Sequence, residues 1–212
     1  MKRALVVLGH LFILNVIYIL SICLSLGIAA APATSALFYF TNKLLAKDYQ
    51  EYGIIKQFWV IIKEKFKYSF GFGIIAAVIL YLCIVNLDNV LLLEYGEFLR
   101  KLIIVCQYFA IIETSVLTIM VLYLNGLFKF NKFSDLIKMA FFVAHRHIFV
   151  TILMVISIAL GLYVLIYYVT ALLLIMLFSL ISLWICILYL PIWKKYLITR
   201  EEHQNETPEE TK

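Results

Sequence analysis

Charge is what this chain has least of. Only 15% of its 212 residues are Asp, Glu, Lys or Arg, against 65% hydrophobic, and mean hydropathy is +1.00. A soluble domain is roughly 45–50% apolar and about a quarter charged. A chain this short also leaves much of its surface in contact with its surroundings. Those surroundings are therefore expected to be lipid. Proline is sparse too, at three residues, so few positions can force an apolar helix to stop. The four cysteines, Cys23, Cys83, Cys106 and Cys186, stand singly inside apolar runs. That pattern excludes a disulfide framework or a zinc site with CxxC or Cys/His spacing and reads as small buried hydrophobes. Walker A, HExxH, GxSxG and Asp-rich metal signatures are missing. With no such constellation the chain reads as a non-enzyme that holds no cofactor and no metal. The Glu-Ala-Ala coupling loop of ATP-driven importer permeases is missing as well, so the chain is not expected to be the permease subunit itself.

The net charge of +5 is unevenly spread. Thr199 to Lys212 holds five Glu against one Arg and one Lys, leaving 16 basic and 8 acidic residues for the rest. A basic body can signal nucleic acid. Here the Lys and Arg residues sit at the ends of apolar runs, where anionic headgroups meet them, so no nucleic-acid partner is expected.

What the chain does have is long apolar runs. A span needs about 20 mostly apolar residues, and five segments qualify: residues 5–28, 70–87, 102–124, 148–166 and 170–193. The first exceeds the 7–15 residues of a signal-peptide core and is expected to be retained, with Pro32 breaking or kinking the helix beyond it. The last two come from one apolar stretch, Ile148 to Trp193, which as a single helix would reach about 69 Å, twice the bilayer core. It must fold back, with the turn expected around Leu162 to Thr170.

Between the first two spans, Ser35 to Ala46 reads as a helix capped by Thr34 or Ser35. An amphipathic helix follows, with Ile55, Phe58, Trp59, Ile62 and Phe66 on one face and Lys56, Lys63 and Lys67 on the other, the pattern of a helix lying in the membrane interface. Between spans three and four, Phe133, Leu136, Ile137, Ala140 and Phe141 oppose Lys132, Asp135 and Lys138. The expected fold is an all-α polytopic bundle of about five transmembrane helices with two amphipathic elbow helices on the cytoplasmic side. Residues 1–198 form the membrane domain and 199–212 a disordered acidic cytoplasmic tail. The Lys-rich elbows and Lys194-Lys195 belong in the cytoplasm by the positive-inside rule. With five spans the N-terminus is then outside, which sets Lys2 and Arg3 against the rule.

Glu113 lies mid-span, where a carboxylate is costly unless it meets a partner, a cavity or a proton. A proton or substrate contact is one reading. A structural hydrogen bond to Asn15, Tyr18, Ser21 or Tyr81 is the other. Asn15 in span one and Gln107, six residues before Glu113, are further intramembrane contact candidates. His145-Arg146-His147 looks like a metal cluster, but residues two apart on a helix diverge. A cation cluster facing headgroups is expected, with Arg146, Lys56, Trp59, Lys63 and Lys67 as interface residues. The turn containing Gly27, Pro32 and Thr34 is small enough for a partner's backbone to approach.

The stretch Gly27-Ile28-Ala29-Ala30-Ala31-Pro32-Ala33-Thr34-Ser35-Ala36-Leu37-Phe38-Tyr39-Phe40, with Lys43-Leu44-Leu45, Phe58-Trp59 and Phe66-Lys67 after it, resembles the YesL family of bacterial membrane proteins, also called DUF624. The resemblance is clearest over about residues 20 to 75. Chain length, five spans and the Trp193-Lys194-Lys195-Tyr196 ending fit it throughout. Where the family tends to have Phe-Pro-Leu and Arg-Phe near the end of span three, this chain has Gly126-Leu127-Phe128-Lys129-Phe130, so the second elbow is expected to enter at a different angle. The family has no established chemistry, and its genes often neighbour ATP-driven carbohydrate importers and glycoside hydrolases. The resemblance implies an accessory or assembly role beside importer permease subunits in the bacterial plasma membrane. The alternative is an autonomous small-solute carrier or channel using Glu113.

Overall fold

The computed structural model describes residues 2–46, 53–92, 96–168 and 176–205. Among them are seven helices and no strand: α1 (Lys2–Leu24), α2 (Ala30–Ala46), α3 (Ile54–Leu92), α4 (Glu97–Leu127), α5 (Phe133–Arg146), α6 (Ile148–Tyr168) and α7 (Leu177–Asn205). The chain is thus an all-α bundle of the membrane type. Three helices are long and apolar enough to cross a bilayer: Val6–Leu24, Ile54–Val90 and Glu97–Leu127. A fourth crossing is reached if α5 and α6, bent by 89° at His147, count as one broken span. The apolar part of α7, Leu177–Trp193, is shorter than these. Of the five expected segments, three therefore stand alone as spans. The turn expected around Leu162 to Thr170 is not found as far as Tyr168, because α6 is helical to that residue; the rest of that expectation falls on residues 169–175, outside the described residues. Helix α7 runs to Asn205, and the rest of the acidic tail is also outside them.

The first span ends earlier than expected, and not at Pro32. Leu26 and Gly27 adopt left-handed φ values of 50° and 85°, and the Gly27 N–H donates to Ile22 O at 2.9 Å, the helix-ending bond that glycine permits. Ser25 Oγ then accepts the Ala29 N–H at 3.0 Å, and α2 begins at Ala30. Pro32 falls in the first turn of α2, where its missing N–H is not needed. Proline starts the second helix here instead of stopping the first.

Two further expectations are corrected. Thr34 and Ser35 lie inside α2 and do not cap it. Helix α2 is deeply buried: Pro32, Ala33, Ser35, Ala36, Leu37, Phe38, Phe40 and Thr41 are all inside, and it packs against α1, α3, α4 and α7. It is the hub of the bundle. The amphipathic stretch beginning near Ile55 is not a separate interfacial helix either, because it continues into the second span as the 39-residue α3, about 58 Å long. Nothing between Lys67 and Gly73 can stop a helix. Gly71 and Gly73 cost helix stability but do not break it, and a Cβ on Gly73 would come within 2.9 Å of Ala31 Cβ. That glycine is a packing notch for α2. The buried positions of α3, Phe58, Ile62, Lys65, Ser69, Phe72 and Ala76, alternate by three and four as one helical stripe. Lys56, Lys63 and Lys67 stay on the exposed side as expected.

The second elbow is present. Helix α5 buries Leu136, Ala140, Val143 and Ala144 and exposes Lys132, Asp135 and Lys138. Phe141, expected on the inner face, is 52% exposed.

Candidate functional site

Two polar constellations stand out among the described residues of this apolar bundle. The first sits at the junction of α2, α3 and α4. Asn125 Nδ2 donates to Ser69 Oγ at 2.7 Å and to Lys65 O at 3.2 Å. Ser69 Oγ and Ser35 Oγ are 2.7 Å apart, and Ser35 Oγ donates to Leu122 O at 2.9 Å. A hydroxyl has one hydrogen. Since Ser35 spends its own on Leu122, Ser69 must donate to Ser35 and accept from Asn125. The result is a directed chain from α4 through α3 and α2 back to α4. Ser35 and Ser69 are fully buried and Asn125 nearly so, and such interhelical hydrogen bonds are worth roughly 0.6–1.7 kcal/mol each inside a membrane protein. Lys65, 6% exposed, extends the junction by donating to Phe128 O at 2.8 Å. Next to it Glu64 pairs with Lys129 at 2.8 Å, and this carboxylate raises the exposed Lys129 ammonium above its ordinary value. With Tyr68 OH donating to Asn131 O at 2.8 Å, the α4–α5 connection is tied to α3 at three points.

The second constellation is Glu113. It lines an open cavity of about 210 Å³ between α4 and α6, to which the last turn of α5 contributes Ala144 and His145. Phe109, Ile112 and Val116 of α4 face Ile148, Ile152 and Val155 of α6 across it, and Thr151 and His145 are the other polar residues. Glu113 Oε1 lies 3.3 Å from His145 Nε2. The four partners expected from sequence are engaged elsewhere or turned outward. Tyr18 meets Thr34 at 3.1 Å, Ser21 donates to Ile17 O, and Tyr81 is exposed. His145 therefore faces a carboxylate and also stacks on Phe141. Arg146 lies over the Phe142 ring at 5.2 Å, in keeping with an interfacial cation.

Asn15 has a different task from Glu113. Fully buried in α1, its Oδ1 accepts the backbone N–H of Ser179 at 3.0 Å. Ser179 is in the first turn of α7, whose N–H groups have no partner within the helix. A side chain from another helix thus caps α7 where water is absent, as lipid requires of any polar backbone group. Gln107 is half-buried on α4 and does not line the cavity. Glu113, Asn15 and Gln107 do not converge. Among the turn residues Gly27 is exposed, while Pro32 is buried and the Thr34 hydroxyl donates to Ala30 O at 2.8 Å. Trp59 is half-buried against the Phe40–Phe58 cluster. Among the described residues no group of three or more His, Cys, Asp or Glu could hold a metal ion.

Ser35, Ser69, Asn125 and Lys65 carry the most connected buried polar geometry; of these only Ser35 was singled out from sequence, and as a helix cap. A signal existed for two of them. The stripe that starts at Phe58 and Ile62 reaches Lys65 and Ser69 if it is continued with helical spacing.

No curated protein and no solved structure matches the chain. Residues 11–87, which run from within α1 through the hub helix into α3, match the model of the family described as a protein of unknown function, DUF624, the YesL-type family that the Gly27–Phe40 stretch resembles.

Proposed function

We propose that this chain is a non-catalytic accessory or assembly subunit of a bacterial plasma-membrane complex, docking laterally against the permease subunits of an ATP-driven carbohydrate importer. One observation carries the reading. The most apolar window of α4 is only 6% buried inside the protein, so a long apolar face is left for lipid or for neighbouring helices. The polar groups at the α2–α3–α4 junction, by contrast, are spent on holding the helices together. The importer itself is supported by the family resemblance alone. Deleting the chain is expected to lower importer assembly and uptake together, measured as permease abundance in membranes and labelled-sugar entry. Unchanged assembly and uptake would remove the proposal.

The α1–α2 hairpin also supports a revised orientation. Tyr18 meets Thr34 across an uncharged turn at residues 25–29, so α1 and α2 run antiparallel and the start of α1 lies on the side of the Lys43 end of α2. Lys2 and Arg3 then join the Lys-rich connections and Lys194-Lys195 in the cytoplasm, and the conflict with the positive-inside rule disappears. An N-terminal fluorescent reporter is expected to fold and fluoresce on the cytoplasmic side. An N-terminal phosphatase fusion that is active outside would restore the external N-terminus.

A second reading, an autonomous small-solute carrier or channel, draws on the Glu113–His145 contact beside a cavity. It requires flux through purified, reconstituted protein that Glu113→Gln abolishes. The absence of flux would end it.

A further inference from the structure

Phe98, Leu102, Val105, Phe109 and Ile112 follow one another along α4 at alternating steps of four and three residues, and all five are 48–82% exposed. That alternation keeps a stripe turned toward a second helix crossing at a shallow angle, the usual geometry of helix pairs in membranes. From Phe98 to Ile112 the stripe is about 21 Å long. Val116, four residues further on, is buried and lines the open cavity between α4 and α6. The stripe therefore runs into that groove. Helix α6, its far wall, is held by α5 and α7.

Glu113 stands where stripe and groove meet, in the middle of the Glu97–Leu127 span. Its side chain is 29% exposed. Oε1 is enclosed and makes no hydrogen bond, His145 Nε2 being 3.3 Å away without one. Among the described residues Oε2 makes none either, and it is the oxygen that the groove leaves open. The other polar groups of the lining are directed elsewhere: the Thr151 hydroxyl donates to Ala144 O, and His145 Nδ1 lies 2.9 Å from Phe141 O. A carboxyl accepts hydrogen bonds whether or not it carries a proton, and hydrocarbon offers no water to donate one. What this place lacks is a donor.

We propose that the stripe and groove of α4 receive a transmembrane helix of the neighbouring permease subunit, which brings a Lys, Arg, Asn or Gln side chain to Glu113. The identity of the partner rests on the accessory-subunit reading above, whereas the chemistry of the contact rests on the groove. An acyl chain could fill the apolar lining but has no donor for a carboxyl at this depth.

The test places a photoactivatable benzoylphenylalanine at Phe109 of the full-length tagged chain in native membranes, and mass spectrometry identifies the cross-linked peptide. A permease peptide from an apolar span is expected, with Lys, Arg, Asn or Gln within about one helical turn of the attachment. Glu113→Leu, which keeps the bulk and removes the acceptor, is expected to lower the cross-link yield about ten-fold. Glu113→Gln, whose carbonyl still accepts, should stay within about two-fold of wild type. Ile152→Trp, which fills the groove from α6, should lower the yield as Glu113→Leu does, while Val78→Trp on the exposed side of α3 should leave it unchanged. Thermal midpoints equal to wild type confirm that these variants fold. Permease cross-links that persist in both Glu113→Leu and Ile152→Trp would overturn the proposal and leave the accessory reading standing. Cross-links to lipid or to a second copy of the chain alone would overturn it too. Whether permease subunits still co-purify with wild type then decides whether the accessory reading falls with it.

Discussion

Gly126→Ala is expected to destabilise the bundle by about 1–3 kcal/mol, far more than one added methyl group would on an open helix face. The new Cβ would lie 2.5 Å from Ser35 O, 3.1 Å from Phe38 Cβ and 3.3 Å from Tyr39 N. Two of these atoms are backbone of α2 and cannot swing aside as a long side chain does. Helix α2 must back away from α4, and in doing so it stretches the Ser35 bonds to Leu122 and Ser69. Thermal unfolding in mild detergent should show a midpoint lower by about 2–12 °C, scaling the cost for a chain of this size. Gly71 is the internal control. Nothing lies within 4 Å of a Cβ built there, so Gly71→Ala should be neutral or should stabilise by up to about 1 kcal/mol through helix propensity. Equal behaviour of the two variants would mean that α2 is not lodged against α4.

Asn125→Ala has the next largest expected effect, about 2–4 kcal/mol. It removes two donated hydrogen bonds, to Ser69 Oγ and Lys65 O, and leaves a void in the junction. Ser69→Ala also removes two hydrogen bonds, the one donated to Ser35 and the one accepted from Asn125, but it should cost somewhat less, about 1–3 kcal/mol, because Asn125 keeps Lys65 O and Ser35 keeps Leu122 O and the void is smaller. The directed chain also predicts coupling: the Ser35→Ala and Ser69→Ala losses should sum to more than the double variant shows. Denaturant titration of the purified variants measures all three. Strict additivity, or an Asn125→Ala as stable as wild type, would show that the chain of bonds does not hold the helices.

These two sites mark where the sequence could be read and where it could not. Composition and apolar run length identified an all-helical membrane chain, because lipid exposure leaves no other way to account for so little charge. The inner and outer faces of α5 were legible from the positions of Leu136, Ala140, Lys132 and Lys138, since that helix has one buried side and one exposed side. The start and the burial of helix α2 were not legible, because nothing local shows what its polar residues Thr34, Ser35 and Thr41 bond to. They are partners for groups on other helices, and such pairings are made across 16 to 141 residues of chain. Lys65 was hidden among five other lysines between Thr34 and Tyr68, and nothing local separates the one that turns inward. Gly73 and Gly126 carry no mark of the backbone that approaches them. Glu113 was visible as a misfit, but its partner His145 lies on another helix, beside a bend that neither residue foretells.

The measurement closest to the functional reading is a mild-detergent purification of the tagged chain from native membranes, with quantitative mass spectrometry of what accompanies it. A laterally docked accessory subunit predicts importer permease subunits in near-equal amounts, lost when charged residues are placed on the exposed face of α4 at Val105 and Phe109. Recovery of the tagged chain alone, under conditions that keep the importer itself intact, would contradict the accessory role and turn attention to flux through Glu113.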